Sequence, residues 1–262
     1  MAGPADEGSI TERASGTFQG YHGAMSEPVE SGRRAHALEA LRAVILSPLF
    51  IAFLTAMCVV VRALRTYADV GPHYAFVGFN LFLAWIPLVL AYGLSYSARS
   101  KLTWIALPPL AVLWIIFLPN APYLVTDLVH LEEGVNAVNV LLLSLLAVTG
   151  VLLGVKSLKL VQGAVERLFG RTAGWRFVQG IAVLTAVGIY LGRVLRWNSW
   201  TVIHHPEVIV DAVVRSPDDP RRLMLALCAT VVCASGFLLA YRVLAGRDAI
   251  PTARPVRGGA TR

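Results

Sequence analysis

Charged residues are scarce in this chain, and their scarcity excludes a typical water-soluble domain. They make up 15% of the 262 residues, whereas hydrophobic residues make up 56%. A soluble globular domain usually carries about 25% charged residues, because its surface must be solvated. A lipid bilayer is therefore the predicted solvent for most of the chain.

Cysteine is also rare, and the sequence motifs of several common chemistries are absent. The 3 cysteines, Cys58, Cys228 and Cys233, all lie in apolar runs, which is typical of small buried hydrophobic residues rather than of disulfides or metal ligands. The sequence contains no glycine-rich phosphate loop, no G-x-S-x-G elbow and no C-x-x-C pair. We therefore expect no nucleotide cofactor, no serine hydrolase chemistry and no redox relay.

One short histidine cluster could suggest a metal site. His204, His205 and Glu207 are close in sequence, but adjacent histidines point apart on a helix, and Pro206 interrupts the segment. Nothing here matches a zinc-binding spacing such as H-E-x-x-H. We expect neither a metal nor another cofactor.

The chain is basic, with a formal net charge of +7. Its Lys and Arg residues fall mainly in the gaps between apolar runs, without the basic stripe and interleaved aromatics of a nucleic-acid binder. Membrane orientation explains this distribution better. The lipid bilayer, and not nucleic acid, is the expected partner.

Six apolar runs, of roughly twenty residues each, are long enough to cross a bilayer as helices. They lie near 43–61, 74–94, 103–121, 139–155, 177–195 and 223–243. The runs are continuously apolar and lack the alternation of a barrel strand. The predicted fold is an all-α, polytopic transmembrane helical bundle over residues 42–245, with a disordered polar arm at 1–41 and a disordered basic tail at 246–262.

The distribution of Lys and Arg predicts the orientation of the bundle. If both termini are cytoplasmic, most of these residues fall in cytoplasmic segments. Arg221 and Arg222, which adjoin the sixth run, argue locally for the opposite sense. With both termini inside, the third and fifth runs end at the same, outer face of the membrane.

Two polar strings close the third and fifth runs and are the best guide to function. The first is LPNAPYLVTDLVHL, from Leu118 to Leu131, and the second is YLGRVLRWNSW, from Tyr190 to Trp200. Ionisable side chains near the hydrocarbon are costly unless they are paired, hydrated or used. Pro119 and Pro122 should break the first helix and leave carbonyls free near Asn120. Tyr123, Asp127 and His130 would share one face of a helix that resumes afterwards.

These strings admit a structural and a functional interpretation. Asp127 could simply pair with Arg193 or Arg196, while Trp197 and Trp200 act as interfacial aromatics. Alternatively, Asp127 and His130 handle a proton while the two arginines hold an anionic group, since a guanidinium suits phosphate or carboxylate. The functional hypothesis has Asp127 and His130 as catalytic residues and the following as substrate-binding residues: Asn80, Asn120, Tyr123, Arg193, Arg196, Trp197 and Asn198.

Other polar and small residues on the spans are expected to pack helices together. Asn80 is expected first to hydrogen-bond to a neighbouring helix and only second to serve the site. Gly150 with Gly154, and Gly188 with Gly192, allow close helix contact, within the chain rather than between copies. The oligomeric state is left open by the sequence.

The two polar strings, together with NLFLAWIP from Asn80 to Pro87 and GVLLGVKSL from Gly150 to Leu158, resemble the bacterial integral-membrane family catalogued as domain of unknown function 1361. The likeness covers roughly residues 45–245. It implies a multi-pass protein of a bacterial cytoplasmic membrane with no assigned activity. The chain carries Thr201 and Asn139 where the family leads us to expect Asp.

Three classes of function remain open at this point. The first is an outward-facing membrane enzyme that acts on a lipid or a lipid-linked anion, or a protein that binds one. The second is a transporter or permease component, which would be expected to carry ionisable or broken-helix features near the membrane midplane and two halves related by a repeat. The charges here cluster towards one face, and the sequence shows no obvious duplication, which modestly disfavours a carrier. The third is a non-catalytic scaffold in an envelope complex, which would tolerate loss of Asp127 and His130.

Overall fold

The computed structural model describes residues 33–68, 76–99, 103–133, 136–194, Glu207 and 220–246. These residues are almost entirely helical, and none of them forms a strand, which confirms the predicted all-α class. The predicted disordered arm is wrong at its end, because residues 33–45 form a helix, α1. The sequence there, RRAHALEALRAVI, consists largely of strong helix formers. Residues 1–32 and the predicted tail from 247 lie outside the described residues.

Among the described residues, six stretches of helix are long and apolar enough to cross a membrane, which confirms the predicted number of spans and indicates a multi-pass membrane protein. The elements from residue 48 onward are α2 (Pro48–Tyr67), α3 (Phe76–Ser97), α4 (Thr103–Phe117), α5 (Asn120–Tyr123), a 3-10 helix (Leu124–Glu133), α6 (Ala137–Phe169), α7 (Arg171–Val194) and α8 (Pro220–Ala245). The third span runs from Ile105 to Glu132 and so combines α4, α5 and most of the 3-10 helix.

Local sequence explains where two of these helices begin. Pro48 occupies the first turn of α2, where a missing backbone donor costs nothing, and the side chain of Ser47 accepts a hydrogen bond from the Phe50 amide at 3.1 Å. The Asn136 side chain caps α6 in the same way, accepting from the Asn139 amide at 2.8 Å. Each polar cap satisfies an amide that the helix itself leaves without a partner.

Helix α6 forms the centre of the bundle. It contacts α2, α3, α5, the 3-10 helix, α7 and α8. Several of its leucines, among them Leu142, Leu143 and Leu153, are fully buried. At 33 residues α6 is much longer than the predicted run at 139–155, so that boundary is wrong. About 20 residues suffice to cross the hydrocarbon, and the extra turns carry the Lys and Glu residues that made this stretch look like a loop.

The third span is broken by its prolines, as predicted. Helix α4 ends at Phe117, and the chain passes through Leu118 and Pro119 before α5 begins. Gly150 of α6 lies so close to α5 that an added Cβ would overlap the Ala121 carbonyl oxygen. A Cβ on Gly188 of α7 would overlap the Pro119 ring. The glycines therefore pack helices within the chain, as predicted, and they do so at the break itself.

Because successive spans alternate in direction, one end of the bundle collects particular helix termini. There α2, the 3-10 helix and α7 end, and α3, α6 and α8 begin. We refer to this as the site end of the bundle. Its assignment to the outer face of the membrane stays a prediction from the Lys and Arg distribution.

Candidate functional site

The backbone that carries the candidate site is irregular but buried in protein. Ala121 and Leu124 are fully buried, and the break rests on α6 about 20 Å from the start of that helix, at 1.5 Å per residue. Irregular backbone at membrane depth survives only when protein or water satisfies its polar groups. At the break, the Phe117 carbonyl accepts a hydrogen bond from the Asn120 side chain at 2.9 Å. Asn120 thus supplies a hydrogen bond to the backbone at the break.

Asp127 lies on the 3-10 helix and is buried, with 1% of its side chain exposed. A 3-10 helix has three residues per turn, so Leu124, Asp127 and His130 follow one face. The segment is therefore tighter than the α-helix expected from the spacing. The fully buried Leu124 directs this face against the core, which explains why Asp127 is buried rather than exposed to headgroups.

Two neighbouring helices supply polar partners to the two oxygens of Asp127. The Asn80 amide of α3 donates a hydrogen bond to Oδ2 at 3.2 Å. Nη1 of Arg193, at the end of α7, lies 3.6 Å from Oδ1. The third and fifth spans thus meet as predicted, and Asn80 bonds to a neighbouring element as expected. Both partners favour an ionised carboxylate at a depth where an isolated charge would be costly.

Arg193 is less buried than Asp127, with 29% of its side chain exposed. Its Nη1 also lies 3.5 Å from the hydroxyl oxygen of Tyr123. Both distances exceed the 2.7–2.9 Å of a tight charge-assisted hydrogen bond, so these contacts hold the guanidinium loosely. Among the described residues both contacts use Nη1, and a guanidinium has five N–H donors in all. Nε and Nη2 therefore keep donors that the described protein contacts do not use.

His130 lies at the edge of this cluster rather than at its centre. Its ring packs against Phe76 of α3, with centroids 4.7 Å apart and planes inclined at 37°. The ring is half-buried and lies nearer to the site end than Asp127. Of the other predicted site residues, Arg196, Trp197 and Asn198 lie outside the described part of the chain, as does Trp200.

A second buried polar pair at the site end was not predicted. Nε of Arg65, in the last turn of α2, donates a 2.6 Å hydrogen bond to Oδ1 of Asn139 in the first turn of α6. Arg65 is only 4% exposed and Asn139 is fully buried. One signal was visible in the sequence, because Arg65 follows an apolar run on the buried stripe of α2 that also contains Cys58 and Val61. The pair joins α2 to α6 beside the Asp127 site.

Comparison with known proteins places this architecture in a family. The model for "Protein of unknown function (DUF1361)" matches residues 79–235, which cover more than half of the chain. The chain belongs to this family. The matched range contains Asn80, the proline break, Asp127 and Arg193, so the family domain includes the whole described cluster. No curated protein and no solved structure gives a significant match.

Proposed function

We propose that this DUF1361 protein binds a phosphate- or carboxylate-bearing lipid, or a lipid-linked anion, at Arg193. The observation that carries the proposal is the loose hold on Arg193, whose side chain is partly exposed and whose Nη1 has only long contacts to Asp127 and Tyr123. Guanidinium donors match phosphate and carboxylate oxygens in a bidentate geometry. An arginine that kept only a structural role would gain most from short contacts that use more of its donors.

Asp127 and Asn80 have a positioning role in this proposal. Asp127 is almost completely buried, so it is poorly placed to touch a ligand itself. It contacts Arg193 from one side, and the Asn80 hydrogen bond positions Asp127. His130 then stays a candidate for proton handling, at the edge of the cluster. We further propose that the site faces outward from the cytoplasmic membrane of a bacterium, following the Lys and Arg distribution and the sequence resemblance.

The first test compares the lipids that copurify with the protein. Native protein, Arg193→Lys, Arg193→Gln and the doubly neutral Asp127→Asn/Arg193→Gln variant are extracted in mild detergent, and bound lipids are quantified by mass spectrometry. Native protein should retain anionic lipid, Arg193→Lys should keep part of it, and both Gln variants should lose it. Equal retention by all four proteins would reject Arg193 as the binding group.

The second test identifies the ligand class in cells. Lipids and envelope precursors are profiled in a deletion strain complemented with native protein or with Arg193→Gln. A species that changes in both the deletion and the variant names the class. No change in either strain would favour a scaffold role.

Transport is a second candidate, and the broken third span specifically favours it. Transporters often bind their cargo at discontinuous helices that carry buried ionisable groups. Here the break at Pro119 and the buried Asp127 lie in the same span. Flux of a labelled anionic lipid between the leaflets of proteoliposomes distinguishes the candidates, because a binding protein retains its lipid without moving it across.

A further inference from the structure

Helix α8 packs differently along its length. We refer to the half of α8 that is farther from the site end as its inner half and to residues 220–233 as its outer half. In the inner half, Ala234, Phe237, Tyr241 and Ala245 are buried. Polar contacts fix this half: Tyr241 donates a hydrogen bond to Gln162, and Nζ of Lys159 donates to the Ala245 carbonyl at 2.8 Å. From 220 to 233 none of the described side chains is buried. Helix α8 is thus packed and hydrogen-bonded at its inner end, whereas its described side chains towards the site end are exposed or only partly buried.

The packing of α7 on α8 shows which part of α8 faces Arg193. At the inner end, the guanidinium of Arg242 lies 5.2 Å from the centroid of the Trp175 ring. Arg193 follows Trp175 by about five helical turns, so it lies on the same stripe of α7, about 27 Å nearer the site end. Met224 precedes Arg242 by the same number of residues on the antiparallel α8. By this spacing, Arg193 and Met224 lie at equivalent levels along the two helices.

At this level the described side chains of α8 are largely exposed. Met224 is 60% exposed and Leu227, one turn inward, is 58% exposed. Arg193 keeps 29% of its side chain exposed on the same side of α7. The outer half of α8 thus presents an exposed apolar surface at the level of the cationic Arg193 end of α7, and we refer to this surface with Arg193 as the lateral groove.

We propose that this groove admits an anionic phospholipid directly from the bilayer. The acyl chains lie along Met224 and Leu227, and the phosphate reaches Nε and Nη2 of Arg193, the atoms that the described contacts leave available. Charge complementarity selects this occupant, because a zwitterionic lipid gains less from a single guanidinium. The inference rests on the proposed function and adds the ligand class and its route of entry.

The test places a fluorophore in the groove and asks which lipid reaches it. Cys228 is exposed on the outer half of α8, whereas Cys58 is fully buried. Bimane is attached to Cys228 of the full chain, in which Cys233 is changed to Ala. The labelled protein is placed in bilayers that contain either phosphatidylglycerol or phosphatidylcholine with brominated acyl chains. The control carries bimane on Val89→Cys, with Cys228 and Cys233 changed to Ala. Val89 is 64% exposed on α3, which contains no Lys or Arg.

Brominated phosphatidylglycerol should quench bimane on Cys228 more strongly than brominated phosphatidylcholine. The difference should correspond to about fivefold higher affinity for phosphatidylglycerol, because one cation near a membrane surface contributes about 1 kcal/mol. The control position should show no preference. Arg193→Gln, and the doubly neutral Asp127→Asn/Arg193→Gln variant, should abolish the preference at Cys228, and Arg193→Lys should keep part of it.

Three outcomes would overturn the groove. Equal quenching by both lipids would reject selective entry, and a preference that survives Arg193→Gln would place the anion elsewhere. No quenching by either lipid would indicate that a second copy of the chain covers α8. A second assay measures the binding of soluble glycerol phosphate to native protein and to Arg193→Gln. If this binding depends on Arg193 but the quenching at Cys228 shows no lipid preference, the proposed function is retained and lateral entry is rejected. No effect of Arg193→Gln in either assay would reject both.

Discussion

Asp127 of the third span and Arg193 of the fifth span lie 3.6 Å apart, and their burial differs greatly. The Asp127 side chain is 1% exposed and the Arg193 side chain is 29% exposed. The pair therefore has one member enclosed by protein and one member that is partly exposed. Asn80 and the packing of the proline break against α6 and α7 hold the enclosed side in place.

The close packing of α6 on the broken span predicts a large cost for a small substitution. In Gly150→Ala the new methyl group would overlap the Ala121 carbonyl oxygen and the Leu124 side chain, and backbone cannot yield cheaply. Overpacking should cost about 1–3 kcal/mol of unfolding free energy, which exceeds the helix propensity gained over glycine. Thermal unfolding in detergent, followed by circular dichroism, measures the loss.

Gly180→Ala is the matched control for this substitution. No heavy atom lies within 4 Å of a Cβ built on Gly180, so this variant should be as stable as the native protein or slightly more stable. Equal stability of the Gly150 and Gly180 variants would show that α5 does not pack on α6 in this way.

A buried hydroxyl joins three helices of the core and supplies a second prediction. Ser157 of α6 accepts a hydrogen bond from Nε1 of Trp114 at 2.8 Å and donates one to the Pro87 carbonyl at 2.9 Å. Ser157→Ala leaves the buried indole N–H without this acceptor and should cost about 1–3 kcal/mol. Adding Trp114→Phe removes the donor, so the double variant should lose less than the sum of the single losses. Strictly additive unfolding free energies would contradict this network.

The Arg65–Asn139 pair predicts an order of stabilities. Asn139→Asp places a carboxylate next to a buried guanidinium, and hydrogen bonds between charged groups are stronger than neutral ones. Asn139→Leu removes the acceptor and should cost about 2 kcal/mol. The expected order of melting temperatures is Asn139→Asp at or above native, with Asn139→Leu lowest. A Leu variant more stable than the Asp variant would contradict the pairing.

Much of the bundle was predictable because lipid imposes simple rules. The six apolar runs predicted the number of spans, and the two prolines at Pro119 and Pro122 predicted the position of the break. The same alternation of spans placed Asp127 and Arg193 at one end. These features depend on local composition and on chain direction, and both can be read without knowing any tertiary contact.

The remaining features depend on contacts that composition does not contain. The end of α6 was misplaced because Lys156 and Lys159 look like loop residues, whereas the helix continues until Gly170, whose φ of 88° ends it. The Arg65–Asn139 pair requires knowing that the last turn of α2 meets the first turn of α6. The burial of the Asp127 side chain follows from the 3-10 geometry of its segment, which the spacing of Tyr123, Asp127 and His130 in the sequence did not indicate.

A double-mutant cycle on Asp127 and Arg193 tests the central claim most directly. Arg193→Gln should reduce stability more than Asp127→Asn, because it leaves the more deeply buried charge without its cation. Unfolding free energies in detergent are measured for the native protein, the two single variants and the Asp127→Asn/Arg193→Gln variant. We predict a coupling of about 1–3 kcal/mol, with the double variant more stable than Arg193→Gln alone. Losses that add to within about 0.5 kcal/mol would show that the third and fifth spans do not share this site.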